Sequence, residues 1–275
     1  MQEATFRSSD GPDIFYRHWP APDQPRAIVV INHGVNSHGG QHAWTAERFA
    51  GAGIAAYAID MRGRGRSGGK RLALKDVSQH TDDLHRLIGI AKAENPGVPV
   101  FLLGHSAGGV VGCTYVLDHQ DELAGFICES FAYRVPAPGA ALWLVKSVLG
   151  PLFPGLPALK LKMEDFSRDP AAVAALLADP LTKDEAQPAG TVAALLRATD
   201  RMQREFPTVS LPLLILHGTE DKATLPAGSR EFYEKAGSAD KTLKLYDGHY
   251  HDLLNDIGKE GVFADILGWI DARLK

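Results

Sequence analysis

The sequence predicts an α/β protein built on a mainly parallel sheet of about eight strands with helices on both faces. Three observations carry this reading. Short apolar runs alternate with longer helix-compatible stretches along most of the 275 residues. The runs at 27–32, 54–59, 100–103 and 213–216 are apolar at nearly every position instead of every second one, as strands covered on both faces must be. The run at 100–103 breaks at Gly104-His-Ser-Ala-Gly-Gly109 and resumes as a helix-compatible run at 110–117. That order of strand, Gly-x-Ser-x-Gly and helix is the setting in which the motif forms a strained turn that presents a serine.

In chain order, residues 4–8 and 14–19 alternate in strand fashion around Asp10-Gly-Pro-Asp13 and predict an opening hairpin. Strand 27–32 ends at His33-Gly34, a helix is expected over 41–52, and 54–59 is the next strand. Residues 75–93 place Val77, Leu84, Leu87, Ile88 and Ala91 on one helical face. Another strand follows at 124–128. Between 131 and 207 the rhythm fails: the segment is helical in character, rich in Ala, Leu and Pro, and predicts a helical cap inserted between two parts of the core, 1–130 and 208–275. The sheet pattern returns with 213–216, a helix near 227–236, the strand 242–246 and a closing helix over 258–274.

Bulk composition narrows the function classes. A net charge of −4 argues against nucleic acid as a partner, since that requires a basic surface. Cys113 and Cys128 both lie in apolar segments and read as small buried side chains, not as a disulfide or metal framework. The first residues carry no basic and apolar leader pattern, and no run of about 18 apolar residues occurs, so a soluble, cytoplasmic protein is expected.

The chemistry gathers around Ser106. Gly104 and Gly108 are needed because the turn leaves no room for side chains beside the serine, and the Ala107 N–H, at the start of a helix, can meet a developing oxyanion. A serine hydroxyl needs a base to take its proton and a carboxylate to orient that base. The loop after 213–216 offers Glu220 or Asp221, and the loop after 242–246 offers His249 or His251. Glu129, ending the strand after the elbow helix, is a further candidate for the acid, a supporting partner or a substrate-pocket residue. His33, His38 and His42 have no interleaved carboxylate or cysteine and do not make a metal site. Gly63-Arg-Gly-Arg-Ser-Gly68 matches Gly-x-Gly-x-x-Gly, but no helix starts on it, so it reads as a shaped loop in which Arg62 is the expected partner of Asp60.

Six spaced motifs carry a resemblance over essentially the whole chain: His33-Gly34, Asp60-Met-Arg-Gly-Arg-Gly-Arg-Ser67, Gly104-His-Ser-Ala-Gly-Gly109, Asp179-Pro-Leu181, His217-Gly-Thr-Glu-Asp221 and Tyr246-Asp-Gly-His-Tyr-His251. Together they resemble the α/β-hydrolase group of monoacylglycerol lipases and lysophospholipase-like esterases, also called serine aminopeptidase-like hydrolases. The resemblance implies an α/β-hydrolase fold in which Ser106 is nucleophile, Asp221 the acid and His251 the base, with the backbone N–H groups of Val35 and Ala107 as oxyanion hole. It implies a carboxylic-ester hydrolase working through an acyl-enzyme on monoacylglycerol-like or other small acyl esters, without cofactor. The same machinery could serve a lysophospholipid, a polyester oligomer or an amide, and a non-catalytic binding homologue is the reading from another class. Position 107 is often Met in this family and position 35 usually smaller than Val, which bears on acyl length and not on chemistry. Leu142, Trp143, Leu144, Val145, Val148, Leu149 and Phe153 are more apolar than one buried helix face requires. Trp143 and Leu144 are therefore expected to wall the acyl site, and the cap to touch lipid surfaces.

Overall fold

The computed structural model describes residues 1–274. Its core is one sheet of eight strands: β1 (Gln2–Arg7), β2 (Asp13–Trp19), β3 (Ala27–Asn32), β4 (Ile54–Ile59), β5 (Val100–His105), β6 (Gly125–Glu129), β9 (Leu213–Gly218) and β10 (Lys241–Tyr246), with the short β7 (Pro157–Leu159) and β8 (Gln187–Pro188) paired apart from it. The order across the sheet is β1-β2-β4-β3-β5-β6-β9-β10. The opening hairpin runs antiparallel to itself and to β4, and every other pairing within this sheet is parallel; the separate β7–β8 pair is antiparallel.

Successive side chains of a strand point to opposite faces, so a fully apolar strand must feed two cores. Ile28, Val30, Leu102, Phe126 and Ile215 pack on one side with α2 (Ser78–Glu94) and α3 (Ala107–His119), as well as with α8 (Pro226–Lys235). Val29, Ile31, Phe101, Leu103, Ile127 and Leu214 pack on the other with α1 (Ala43–Gly51) and α9 (Lys259–Asp271). Both cysteines sit in the first of these cores as free thiols. The helix expected over 41–52 begins at Ala43 because a 3-10 turn, Gly39–His42, occupies its first residues.

After β3 the chain moves outward to β4 and then returns to the other side of β3 as β5. Such a reversal opens a crevice at the carboxyl ends of the two strands, where ligands of open α/β sheets bind. The loops after β3 and β5 both enter it. Between β6 and β9 the chain adds nothing to the large sheet. It forms α4 (Gly139–Leu144), a π-helical turn (Val145–Leu149), α5 (Gly150–Leu152), α6 (Pro170–Ala178) and α7 (Ala189–Glu205), with the β7–β8 pair among them. Gly150 lets this segment close on α7: a Cβ there would stand 2.3 Å from that of Ala193. Among the described residues no helix is long and apolar enough to cross a membrane.

Candidate active site

Ser106 stands between β5 and α3 with φ 56° and ψ −118°, a left-handed backbone that a non-glycine residue holds only when its surroundings enforce it. The enforcement is local. The Ser106 N–H donates to the Glu129 carbonyl of the neighbouring strand at 2.9 Å. A Cβ at Gly108 would lie 2.1 Å from the Asn32 carbonyl oxygen, and one at Gly104 2.6 Å from that of Gly108, so both glycines are sterically required. Ala107 is the first residue of α3, so its N–H has no intrahelical acceptor. Ser106 Oγ makes no hydrogen bond among the described residues; such contacts are commonly loose before substrate binds.

The loop after β9 places Asp221, and the loop after β10 places His251. His251 Nδ1 and Asp221 Oδ2 are 2.7 Å apart, and both side chains are buried. The second carboxylate oxygen accepts the backbone N–H groups of Ala223 at 2.8 Å and Thr224 at 2.9 Å. The Thr224 hydroxyl donates to Oδ2 at 2.7 Å, and His217 Nε2 stands 3.0 Å from the same oxygen. Burial alone would raise the Asp221 carboxyl. The charge of His251 and the hydrogen bonds from His217 and His251 outweigh it and hold the group well below the ordinary carboxylate range. Asp221 is therefore an anion aimed at an imidazole whose ring is flanked by His105 and Phe166, at centroid distances of 4.9 and 4.8 Å. Of the alternatives, Glu220 is exposed, and the half-buried His249 turns its Nδ1 to the Asp247 carbonyl at 3.1 Å.

The loop after β3 is tied down from several sides. Met61 N–H donates to His33 Nε2 at 3.0 Å, which leaves Nδ1–H to donate to the Gly34 carbonyl at 2.7 Å. Burial lowers this histidine well below its usual range, so it acts as a neutral strut. Gly40 N–H donates to His38 Nδ1, and His38 Nε2 donates to Asp179 at 2.8 Å, across to the segment after β6. Asn36, at φ 53°, accepts from Gln187 at 2.7 Å, and Gln187 in turn accepts from the buried Arg64 at 2.7 Å.

Val35, Ser106, Ala107 and His251 face one cavity of about 390 Å³, within the size range of small-molecule sites. Its floor is Val35, Ala107 and Val110; its walls are Leu142, Val145, Leu159, Val192, Leu195 and Leu196; and the exposed Lys160, Lys162 and Lys222 stand at its edge. A serine held in a strained turn at a helix start and a carboxylate-held imidazole, facing one largely apolar cavity, form an arrangement that can support acyl transfer.

Comparison with known proteins gives the family. The family model described as "Serine aminopeptidase, S33" matches residues 23–258. The chain belongs to that family. It is 37% identical to the monoacylglycerol lipase of Mycolicibacterium smegmatis over 99% of this chain and 98% of that one. It is 29% identical to human monoglyceride lipase over 97% and 89%. The crystal structure of Paleococcus ferrophilus monoacylglycerol lipase superposes with a TM-score of 0.84 at 30% identity, covering 94% of this chain and 99% of that one. The protein is a serine ester hydrolase of the α/β-hydrolase fold.

Three expectations about the hydrolase are corrected by the structure. Trp143 and Leu144 do not line the cavity; they are 59% and 43% exposed, while their neighbours Leu142 and Val145 face inward. A helix apolar on every side does not reveal which side it buries. Glu129 is not a substrate-pocket residue: it is fully buried beneath the site, where Oε1 accepts the Leu254 N–H at 3.3 Å. Burial first, and then the charge of Asp252, raise its carboxyl well above the ordinary range. Arg62 pairs with Asp83 and Asp10, whereas Asp60 binds Arg17 at 2.7 Å and the Gly39 and Arg66 N–H groups. Sequence reasoning also missed the two residues that clamp the acid, His217 and Thr224. The signal was present: His217 opens the motif that ends in Asp221, and Thr224 lies three residues beyond it.

Proposed function

We propose that the hydrolase cleaves monoacylglycerol-like esters through an acyl-enzyme on Ser106, with His251 as base and Asp221 as its orienting anion. The 2.7 Å His251–Asp221 pair opening into the same cavity as Ser106 carries this reading. Ser106 Oγ attacks the ester carbonyl carbon as His251 Nε2 takes its proton. Negative charge gathers on the carbonyl oxygen, to which the N–H groups of Val35 and Ala107 donate. Asp221 keeps the proton on Nδ1, so that Nε2 is the free base, and stabilises the imidazolium as it forms. Collapse of the tetrahedral species expels the glycerol alkoxide, which His251 protonates, and water repeats the sequence to free the fatty acid and Ser106.

Residues 131–207 act as a cap that holds the acyl chain against Leu142, Val145, Leu195 and Leu196. Trp143, Leu152, Phe153 and Leu156, exposed by 59%, 67%, 58% and 46%, are the cap's outward apolar side chains, and they meet the lipid surface from which substrate is drawn. The names borne by the relatives support glycerol monoesters as the substrate class. The lysines at the cavity edge favour one second reading, a lysophospholipid whose phosphate they would meet. Parallel assays of monoacylglycerols and lysophospholipids of matched acyl length test the choice. Release of fatty acid from monoacylglycerol at least tenfold faster supports the first reading, and the reverse order replaces it with the second.

A further inference from the structure

At the end of α3 remote from Ser106, three side chains bring metal-ligating atoms together. His119 is the last residue of α3, Glu122 closes the 3-10 turn Gln120–Glu122, and His85 reaches across from α2. His85 Nδ1 lies 3.5 Å and His119 Nδ1 3.4 Å from the same oxygen, Glu122 Oε1. The two rings stack at 4.6 Å, and one ligand atom from each of the three residues falls within 4.8 Å of the others. As hydrogen bonds the two N–O separations are too long, since N–H donors sit about 2.7–3.2 Å from oxygen. They match two edges of a coordination tetrahedron, and the third, between the stacked imidazoles and within 4.8 Å, closes when the rings turn toward a shared point. Zinc bonds of about 2.0–2.2 Å to imidazole nitrogen and carboxylate oxygen put neighbouring ligand atoms about 3.4 Å apart.

We propose that His85, His119 and Glu122 form a binding site for a divalent transition metal of the zinc type, with the fourth position open to water. Two imidazoles and one carboxylate are a donor set zinc accepts, and magnesium or calcium, which take oxygen ligands, do not suit it. The site is reachable, with side chains 47%, 38% and 27% exposed. The other carboxylate oxygen is already held by Lys92 at 3.2 Å, with the Tyr115 hydroxyl 3.4 Å away, which directs Oε1 toward the histidines. His85 Nδ1 also lies 3.2 Å from that hydroxyl, which turns fully to Glu122 when the metal takes the nitrogen. Bound metal would clip α2 to the end of α3. The 13 residues of α3, at about 1.5 Å rise each, put the clip about 20 Å from Ser106, so it acts on stability and not on ester chemistry.

The test is zinc titration of the metal-stripped full chain by calorimetry, with cobalt as a spectroscopic stand-in. One equivalent of zinc is expected to bind and raise the melting temperature, and cobalt to give the intense visible bands of a tetrahedral site. His85→Ala, His119→Ala and Glu122→Gln should each weaken binding at least tenfold. Their circular dichroism and their hydrolysis of a short p-nitrophenyl ester should stay as in the parent. No binding at millimolar zinc, or one-equivalent binding that survives in the His85→Ala, His119→Ala double variant, would overturn the proposal.

Discussion

Two adjacent residues of α4 separate the cavity wall from the outer surface of the hydrolase. Leu142 lines the cavity, and Trp143, next in sequence, is 59% exposed. Burying one methylene is worth up to about 0.8 kcal/mol, which is about fourfold in kcat/KM. With p-nitrophenyl esters kept below their critical micelle concentrations, kcat/KM should climb by up to about fourfold per added methylene until the cavity is full. Leu142→Ala cuts an isobutyl side chain of the wall back to a methyl. If two acyl methylenes lose their apolar neighbour, the longest esters should fall about fifteenfold while acetate changes less than about twofold. Trp143→Ala should leave every monomeric ester within about twofold and slow hydrolysis only of substrate presented in vesicles or micelles. Equal losses in the two variants on monomeric long-chain esters, or a Leu142→Ala loss that is uniform across chain lengths, would refute the division of α4 into an inner and an outer face.

Ser106→Ala should lower ester hydrolysis by about 10⁴ or more with unchanged circular dichroism. His251→Ala and Asp221→Asn should each cost about 10³–10⁴ in kcat, against a few-fold for His249→Ala; reversed severity between the histidines would move the base to position 249. Gly108→Ala should fail to give soluble, cooperatively folded protein, because its Cβ would meet the Asn32 carbonyl at 2.1 Å; a folded variant with parent-like melting would contradict the packing of α3 on β3. Glu129→Gln tests the buried carboxyl. Glu129 is raised by burial and by Asp252, so between its unfolded and folded pKa values the folded chain holds a proton that the unfolded chain has lost. Its contribution is complete at low pH and declines as pH rises, so the melting temperature of the parent should fall relative to Glu129→Gln between pH 5 and 9. A difference that does not change with pH would mean that Glu129 is not held protonated.

Much of this architecture was legible in the sequence because burial writes directly into composition. The runs at 27–32 and 54–59 are apolar throughout since β3 and β4 feed two cores, whereas a strand with one face in water would alternate. The elbow was legible for a steric reason, as the close approach of α3 to β3 and β5 leaves room only for glycine at 104 and 108. The choice between His249 and His251 was not legible from the residues themselves. Two histidines two positions apart on one loop differ only in which way the loop turns, and that is set by the hydrogen bond to Asp221. Pairings at long range were hidden in the same way. Arg62 has Asp60 close by in sequence, yet the structure gives it Asp83 and Asp10, while Arg17, from the opening hairpin, neutralises Asp60. The orientation of α4 was hidden because every position around it is apolar, so no polar stripe marks the outer face.

The account rests on Ser106 as the nucleophile of a covalent mechanism, and active-site trapping tests that most directly. A fluorophosphonate should inactivate the hydrolase in step with the incorporation of one phosphonyl group per chain. Mass spectrometry of the digested protein should place that group on the peptide containing Ser106, and Ser106→Ala should take up none. Stoichiometric labelling at another residue, or full ester hydrolysis by chains carrying the adduct on Ser106, would contradict the account.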